Sequence, residues 1–193
     1  MHSTEDGGRE EVGIRFTPLG LCGAYVIDPE RFPDGRGFLA RAYSAAEFAA
    51  LDISRPLVEA IISFNERRHT VRGLHYQRAP RAQAKLVRCT AGAIYDVVVD
   101  LRPTSETFGR WEAVELTARN RRMLYVPEGF AHGYQTLEDA TEVFYLASDI
   151  YSPEHAGGLR WDDPALGIEW PATEGVTINE RDRTCPGLDA GRL

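Results

Sequence analysis

The sequence predicts an all-β fold, an antiparallel sandwich or barrel, on three observations. Proline and glycine punctuate short apolar runs along the chain, at FPDGRGF (32 to 38), RPT (102 to 104), VPEGF (126 to 130) and YSPEHAGG (151 to 158), and the stretches between them have strand length. AIYDVVVDLR (93 to 102) alternates, with Tyr95, Val97, Val99 and Leu101 on one side and Ile94, Asp96, Val98 and Asp100 on the other. WEAVEL, RMLYV, YQTL and EVFYL follow at the short intervals expected of a sandwich or barrel.

Taken in chain order, the N-terminal stretch MHSTEDGGREE is polar and acidic, with neither the basic nor the apolar part of a secretory signal, so residues 1–13 are expected to form a flexible tail. SAAEFAALD (44 to 52) is the clearest helix signal. Ser44 suits an N-cap, Glu47 three residues on completes a capping box, and Phe48 and Leu51 form the apolar stripe. One or two short peripheral helices are expected in all. No internal repeat, low-complexity run or linker divides the chain, so residues 1–193 read as a single domain.

At 193 residues such a domain buries about 70% of the surface its unfolded chain exposes. A hydrophobic share of 43% and a charged share of 26% are ordinary for a globular protein, and no window has the ~18 consecutive apolar residues of a membrane span. The net charge of -7 argues against a nucleic-acid partner, which calls for a basic footprint, but leaves a small anionic substrate open because the arginines cluster near the motifs below. Cys22, Cys89 and Cys185 are odd in number and lack a CxxC pattern, so neither a disulfide framework nor a structural zinc site is indicated; the reading is of a cytoplasmic protein.

RGLHYQ (72 to 77) puts one histidine inside a strand-like segment, and three roles are open to it: a bonded core residue, a metal ligand or a base. Strand alternation places Val71, Gly73, His75 and Gln77 on one face and Arg72, Leu74 and Tyr76 on the other, with Gly73 leaving space beside the imidazole. A metal needs more ligands, yet Gln77 stands where a His-x-His pair would continue and no carboxylate follows until Asp96, leaving only His132 as a later candidate. No metal is expected. For the base role the chain supplies Lys85, Asp96, His132 and Tyr145. A base, a cation and a phenol together suit removal of a proton next to a carbonyl, where negative charge develops on oxygen.

RGLHYQ, KLVRCTAGAIYDVVVDLR, TFGRW, YVPEGFAHGYQTL, EVFYLASDIYSPE and RWDDPALGIEWP, in this order, closely resemble the dTDP-4-dehydrorhamnose 3,5-epimerase family, from about Phe16 to Asp182. The resemblance implies a cupin-like jelly roll, or double-stranded β-helix, acting as a homodimer without metal or redox cofactor on a nucleotide-linked 4-keto-6-deoxyhexose. It implies His75 as the base, Tyr145 as the proton donor, Lys85 near the C4 oxygen and Asp182 as the partner of the base. Asp96 and His132 match further polar residues of the pocket. Arg36 and Arg72 match arginines that hold the diphosphate, and Arg181 and Gln77 join the expected substrate contacts.

Departures from the family pattern concern binding. Arg41 and Ala156 stand where relatives have glutamates, Glu59 and Ile61 replace a Gln-x-Asn contact with the nucleotide, and Arg181 replaces a lysine. The leading expectation is an epimerase that inverts C3 and C5 of dTDP-4-dehydro-6-deoxy-D-glucose to give dTDP-4-dehydro-L-rhamnose. A single-position epimerase on a differently activated sugar, and a binding protein without catalysis, are the alternatives.

Overall fold

The computed structural model describes residues 13–189. The expected tail, residues 1–13, therefore lies outside the described residues except for Gly13. In chain order the elements are β1 (Ile14–Pro18), β2 (Tyr25–Pro29), β3 (Arg31–Asp34), β4 (Gly37–Ala40), α1 (Ala45–Ala49), β5 (Glu59–Asn65), β6 (Val71–Gln77), β7 (Lys85–Ala91), β8 (Ala93–Asp100), β9 (Trp111–Thr117), β10 (Met123–Val126), β11 (Phe130–Thr136), β12 (Thr141–Ala147), β13 (Ala156–Gly158) and α2 (Glu180–Arg183). Two antiparallel sheets face each other, one in the order β1-β2-β10-β7-β12-β5 and the other β13-β6-β11-β8-β9, and β3 and β4 form a separate hairpin. This is the cupin-like jelly roll that the sequence led us to expect, with two short helices.

The interior fills from both sheets. Val87 and Cys89 of β7, Leu124 of β10 and Val143 of β12 meet Ile94 and Val98 of β8 and Phe130 of β11. The alternation read in β8 holds, but its second face is buried too. Val97, Val99 and Leu101 pack under Leu159, Trp161, Leu166 and Trp170 from the irregular C-terminal stretch. A sheet covered on both sides needs apolar residues at both parities, which is why VVV runs without a polar break.

The helix over 44–52 is shorter than expected. Ser44 caps it, its side chain accepting from the Glu47 amide at 3.5 Å, but the Glu47 carboxylate turns away to accept from the Ile14 amide at 2.9 Å and from Arg41 at 2.7 Å. The capping box is thus half made, and Glu47 ties the helix to β1 instead. Phe48 is fully buried against Phe16, Tyr43 and Tyr125 on the outside of the larger sheet, an anchor of about 2 to 3 kcal/mol.

In β6 the simple alternation breaks. His75 pairs with His132 of β11, but Arg72 pairs with Tyr134, so two residues on β6, Gly73 and Leu74, stand opposite the single Gly133 on its neighbour. This bulge turns Arg72 into the same cavity as His75, while Val71, Leu74 and Tyr76 pack on the outer side. Gly73 plays a different part from the one expected. It does not open space beside the imidazole: at φ +120 a Cβ there would sit 2.5 Å from the Gly133 Cα, so glycine is needed for two backbones to approach.

Candidate active site

His75 enters from β6, and its Nε2 lies 2.8 Å from Asp182 Oδ1. The second oxygen of Asp182 accepts from the Gly73 amide at 3.0 Å, so the carboxylate grips both the imidazole and the bulge beneath it. Asp182 itself is held by α2, where the Asn179 side chain caps the helix by accepting from the Asp182 amide at 2.7 Å. Burial pushes the Asp182 carboxyl up, but the bonds from His75 and Gly73, with the charges of His75 and Arg181, outweigh it and hold the group below its ordinary value. An ionised carboxylate on Nε2–H fixes the imidazole and leaves Nδ1 as the basic nitrogen.

Lys85 opens β7, and Tyr145 lies on the adjacent β12 opposite Val87. Both belong to the larger sheet, whereas His75 and His132 belong to the smaller one. The site is therefore a gap between the two sheets, at the end where interior side chains turn from apolar to polar. Two adjoining cavities share Ile61, His75, Lys85 and Tyr145: one of about 220 Å³, the outer cavity, and one of about 270 Å³ that also touches His132 and Asp182, the inner cavity. Burial lowers the Lys85 ammonium to about 8, against a raising effect of the Asp96 charge. The Tyr145 phenol is pushed up, by burial first and then by Tyr134 and Glu59, so it keeps its proton at neutral pH. His132 Nε2 lies 2.7 Å from Asp96 Oδ1, a second imidazole and carboxylate pair beside the first.

Of the other residues named from the sequence, Arg72 lines the inner cavity, its Nε donating to Asn65 Oδ1 at 2.7 Å and its terminal nitrogen to the Phe64 carbonyl at 3.2 Å. Arg181 lines the outer cavity and donates to the Tyr151 hydroxyl at 3.2 Å. Gln77 also lines it, but its amide braces two loops: it donates to Arg81 and Ile150 carbonyls and accepts from the Ser152 amide at 2.7 Å. Arg36 stands apart on the exposed β3–β4 turn, paired with Asp34 at 2.6 Å, and lines neither cavity. Among the departures, Glu59, Ile61 and Ala156 lie in the outer cavity wall, while Arg41 is tied to Glu47.

Sequence reasoning missed the polar row of β5. The Ser63 and Tyr134 hydroxyls are 2.8 Å apart, and the Asn65 amide donates to the same Tyr134 oxygen at 3.3 Å. EAIISFN carries the signal: alternate residues Glu59, Ile61, Ser63 and Asn65 are more buried than Ala60, Ile62 and Phe64 between them. The polar members lie on the cavity side, where an apolar strand face would otherwise be expected.

A sandwich interior holding a carboxylate-bound imidazole on one wall, with a phenol and an ammonium on the other, defines a class of protein, the cupin-like acid–base isomerases. The family model of dTDP-4-dehydrorhamnose 3,5-epimerase matches residues 18–190, and the chain belongs to that family. It is 42% identical over 182 residues to the dTDP-4-dehydrorhamnose 3,5-epimerase of Sinorhizobium fredii, covering 94% of this chain and 93% of the relative. Among solved structures it is similar to the Bacillus anthracis enzyme of the same name with TDP and PPi bound, with a TM-score of 0.87 and 39% identity over 91% of this chain and 100% of the other. It is also similar to the dTDP-6-deoxy-D-glucose-3,5-epimerase of Legionella pneumophila in complex with dTDP-4-keto-L-rhamnose, with a TM-score of 0.87 and 33% identity over 94% and 97% of the two chains.

Proposed function

We propose that this chain, as a single domain, epimerises C3 and C5 of dTDP-4-dehydro-6-deoxy-D-glucose to give dTDP-4-dehydro-L-rhamnose. The observation that carries the reading is the placement of His75 and Tyr145 on opposite walls of one cavity, with Lys85 lining the same space. A sugar ring lying between the walls meets a base on one face and an acid on the other. His75 takes the proton from the carbon next to the C4 carbonyl, and the electron pair of the C–H bond moves into an enolate. The charge on the C4 oxygen is offset by the Lys85 ammonium. Tyr145 then returns a proton to the same carbon from the opposite face, which inverts it. No oxidant or reductant enters the balance, so the reaction calls for no redox cofactor.

Arg72 and Arg181 are the arginines whose positions on the cavity walls suit the diphosphate, because a guanidinium fork matches phosphate oxygens. Arg36 reaches a diphosphate only from a second copy, and the proposed assembly is a homodimer. Its support is β5, the edge strand of the larger sheet, which exposes Ile62 (65%) and Phe64 (53%) on its outer side next to Val58. The cytoplasmic reading rests on the sequence, whose three cysteines are odd in number and lack a CxxC pattern; among the described residues no helix is long and apolar enough to cross a membrane.

Incubation with dTDP-4-dehydro-6-deoxy-D-glucose in deuterated water, followed by NMR, tests the reading. Deuterium is expected at both C3 and C5. Exchange at one carbon alone would establish the single-position alternative, and calorimetric binding without exchange would establish a binding protein.

A further inference from the structure

We propose that Asn65 is a positioning residue for the substrate: an uncharged, buried amide that holds the Arg72 guanidinium at the inner cavity and leaves its positive charge free for the diphosphate. This rests on the reading that Arg72 binds the diphosphate.

Asn65 ends β5 in the larger sheet and is 2% exposed, whereas Arg72 stands on β6 of the smaller sheet and is exposed. The Arg72 Nε–H donates to Asn65 Oδ1 at 2.7 Å and the Nη2 amine to the Phe64 carbonyl at 3.2 Å, so two consecutive residues of β5 grip one edge of the guanidinium plane. The Nη1 amine and the second hydrogen of Nη2 meet no acceptor among the described residues. Because the grip crosses from one sheet to the other, a long and flexible side chain is fixed in the free protein. Freedom that binding would otherwise remove is already gone, which is how preorganisation raises affinity.

The Asn65 amide can point only one way. Its Nδ2 donates to the Ser63 and Thr141 carbonyls at 3.3 and 3.2 Å and to the Tyr134 hydroxyl at 3.3 Å. Turned over, it would set an oxygen against two carbonyl oxygens and an NH2 group against a cation. Tyr134 is itself 4% exposed, and its hydroxyl and that of Ser63 are 2.8 Å apart, so this acceptor is fixed as well. Charge explains why the residue is an amide. Arg36, Arg81, Arg102 and Arg122 each pair with a carboxylate, whereas among the described residues no ion pair involves Arg72. A carboxylate at position 65 would hold the guanidinium in place but would compete with an incoming anion for it. An amide oxygen sets the direction and leaves the charge.

The test is a cycle of Asn65→Ala, Arg72→Ala and the double variant, read as the Kd for dTDP by calorimetry and as KM and kcat for deuterium exchange. Asn65→Ala is expected to raise Kd and KM roughly tenfold with kcat within about twofold, because binding and not proton transfer is lost. In the Arg72→Ala background the same change should move Kd by less than about twofold. A loss of equal size in both backgrounds overturns the proposal, because Asn65 would then act by another route, as a merely structural residue would. A fall in kcat with KM unmoved overturns it too. If Arg72→Ala binds dTDP as tightly as the unaltered protein, the assignment of Arg72 to the diphosphate fails, so the two failures are distinct. Should Asn65→Ala not fold, Tyr134→Phe loosens the same amide by removing one acceptor. Its Kd for dTDP should rise about two- to threefold beside an intact Arg72 and stay unchanged in the Arg72→Ala background; equal rises overturn the proposal.

Discussion

At the scale of single residues, the site combines groups whose environments pull them apart. Asp182 is held ionised by its bonds and Tyr145 is kept protonated by burial, so an anion lies against the proposed base while a neutral phenol faces it. Asp182→Asn leaves a similar shape but no charge on the imidazole, and kcat should fall by roughly 10³-fold or more with a far smaller change in KM. Steady-state kinetics decide this; a loss confined to KM would place Asp182 in binding. Lys85 sets the alkaline side. Its ammonium titrates at about 8 in the fold against 10.5 for the free side chain, so activity should decline as pH passes through about 8. The effect on stability has the opposite sense. Between these two values the unfolded chain carries the extra proton, so stability should rise with pH across that window and fall as pH drops through about 8. Urea denaturation of the protein and of Lys85→Met at pH 7 and pH 10 checks this, since the variant should lose that part of the rise.

Single elements carry the proposed catalytic groups into place, and the two most telling are short. α2 spans four residues, too few to be stable alone, yet it delivers Asp182 to His75 and is capped by Asn179. Asn179→Ala should cost about 1 kcal/mol of stability and lower kcat, with both recovered in Asn179→Ser. Thermal melts and turnover measured together test it, because loss of stability without loss of rate would make the cap irrelevant to the base. The β6 bulge is the second such element. Gly73→Ala would push a methyl group into the Gly133 backbone at a φ that other residues avoid, and a loss of at least ~2 kcal/mol is expected, read as a lowered denaturation midpoint.

For the molecule as a whole, the two edges of the larger sheet end differently. Towards β1 and β2 the outer face is covered by α1 around Phe48, whereas β5 leaves Val58, Ile62 and Phe64 in the open at the other edge. If a second copy covers that edge, light scattering on a sizing column should report twice the chain mass, and the double change Ile62→Lys with Phe64→Lys should halve it. A monomer before any substitution rules the dimer out. Arg36 belongs to the same scale, because within its own chain it touches neither cavity. An Arg36→Ala protein with a raised KM would indicate that its hairpin serves the site of another copy.

What the sequence determined by itself is what depends on period and residue type. The alternation of AIYDVVVDLR and the turn residues between runs set strands and an antiparallel fold, because side-chain direction in a strand repeats every two residues. The chemical character of His75, Lys85 and Tyr145 was legible for the same kind of reason, since a base, a cation and a phenol are properties of the side chains. The tertiary structure decided everything that depends on which distant segments meet. It placed Arg72 beside His75 through a bulge that strict alternation does not foresee, and showed Gly73 to be a point of backbone contact with Gly133. It brought Asp182 107 residues along the chain to the imidazole, and set His132 against Asp96 of the neighbouring strand. It also covered the second face of β8 with an irregular stretch around Trp161 and Trp170 that has no period to read. Local pattern follows from short-range sterics and burial, whereas the electrostatics of this site arise from charges that only the closing of the two sheets brings within range of one another.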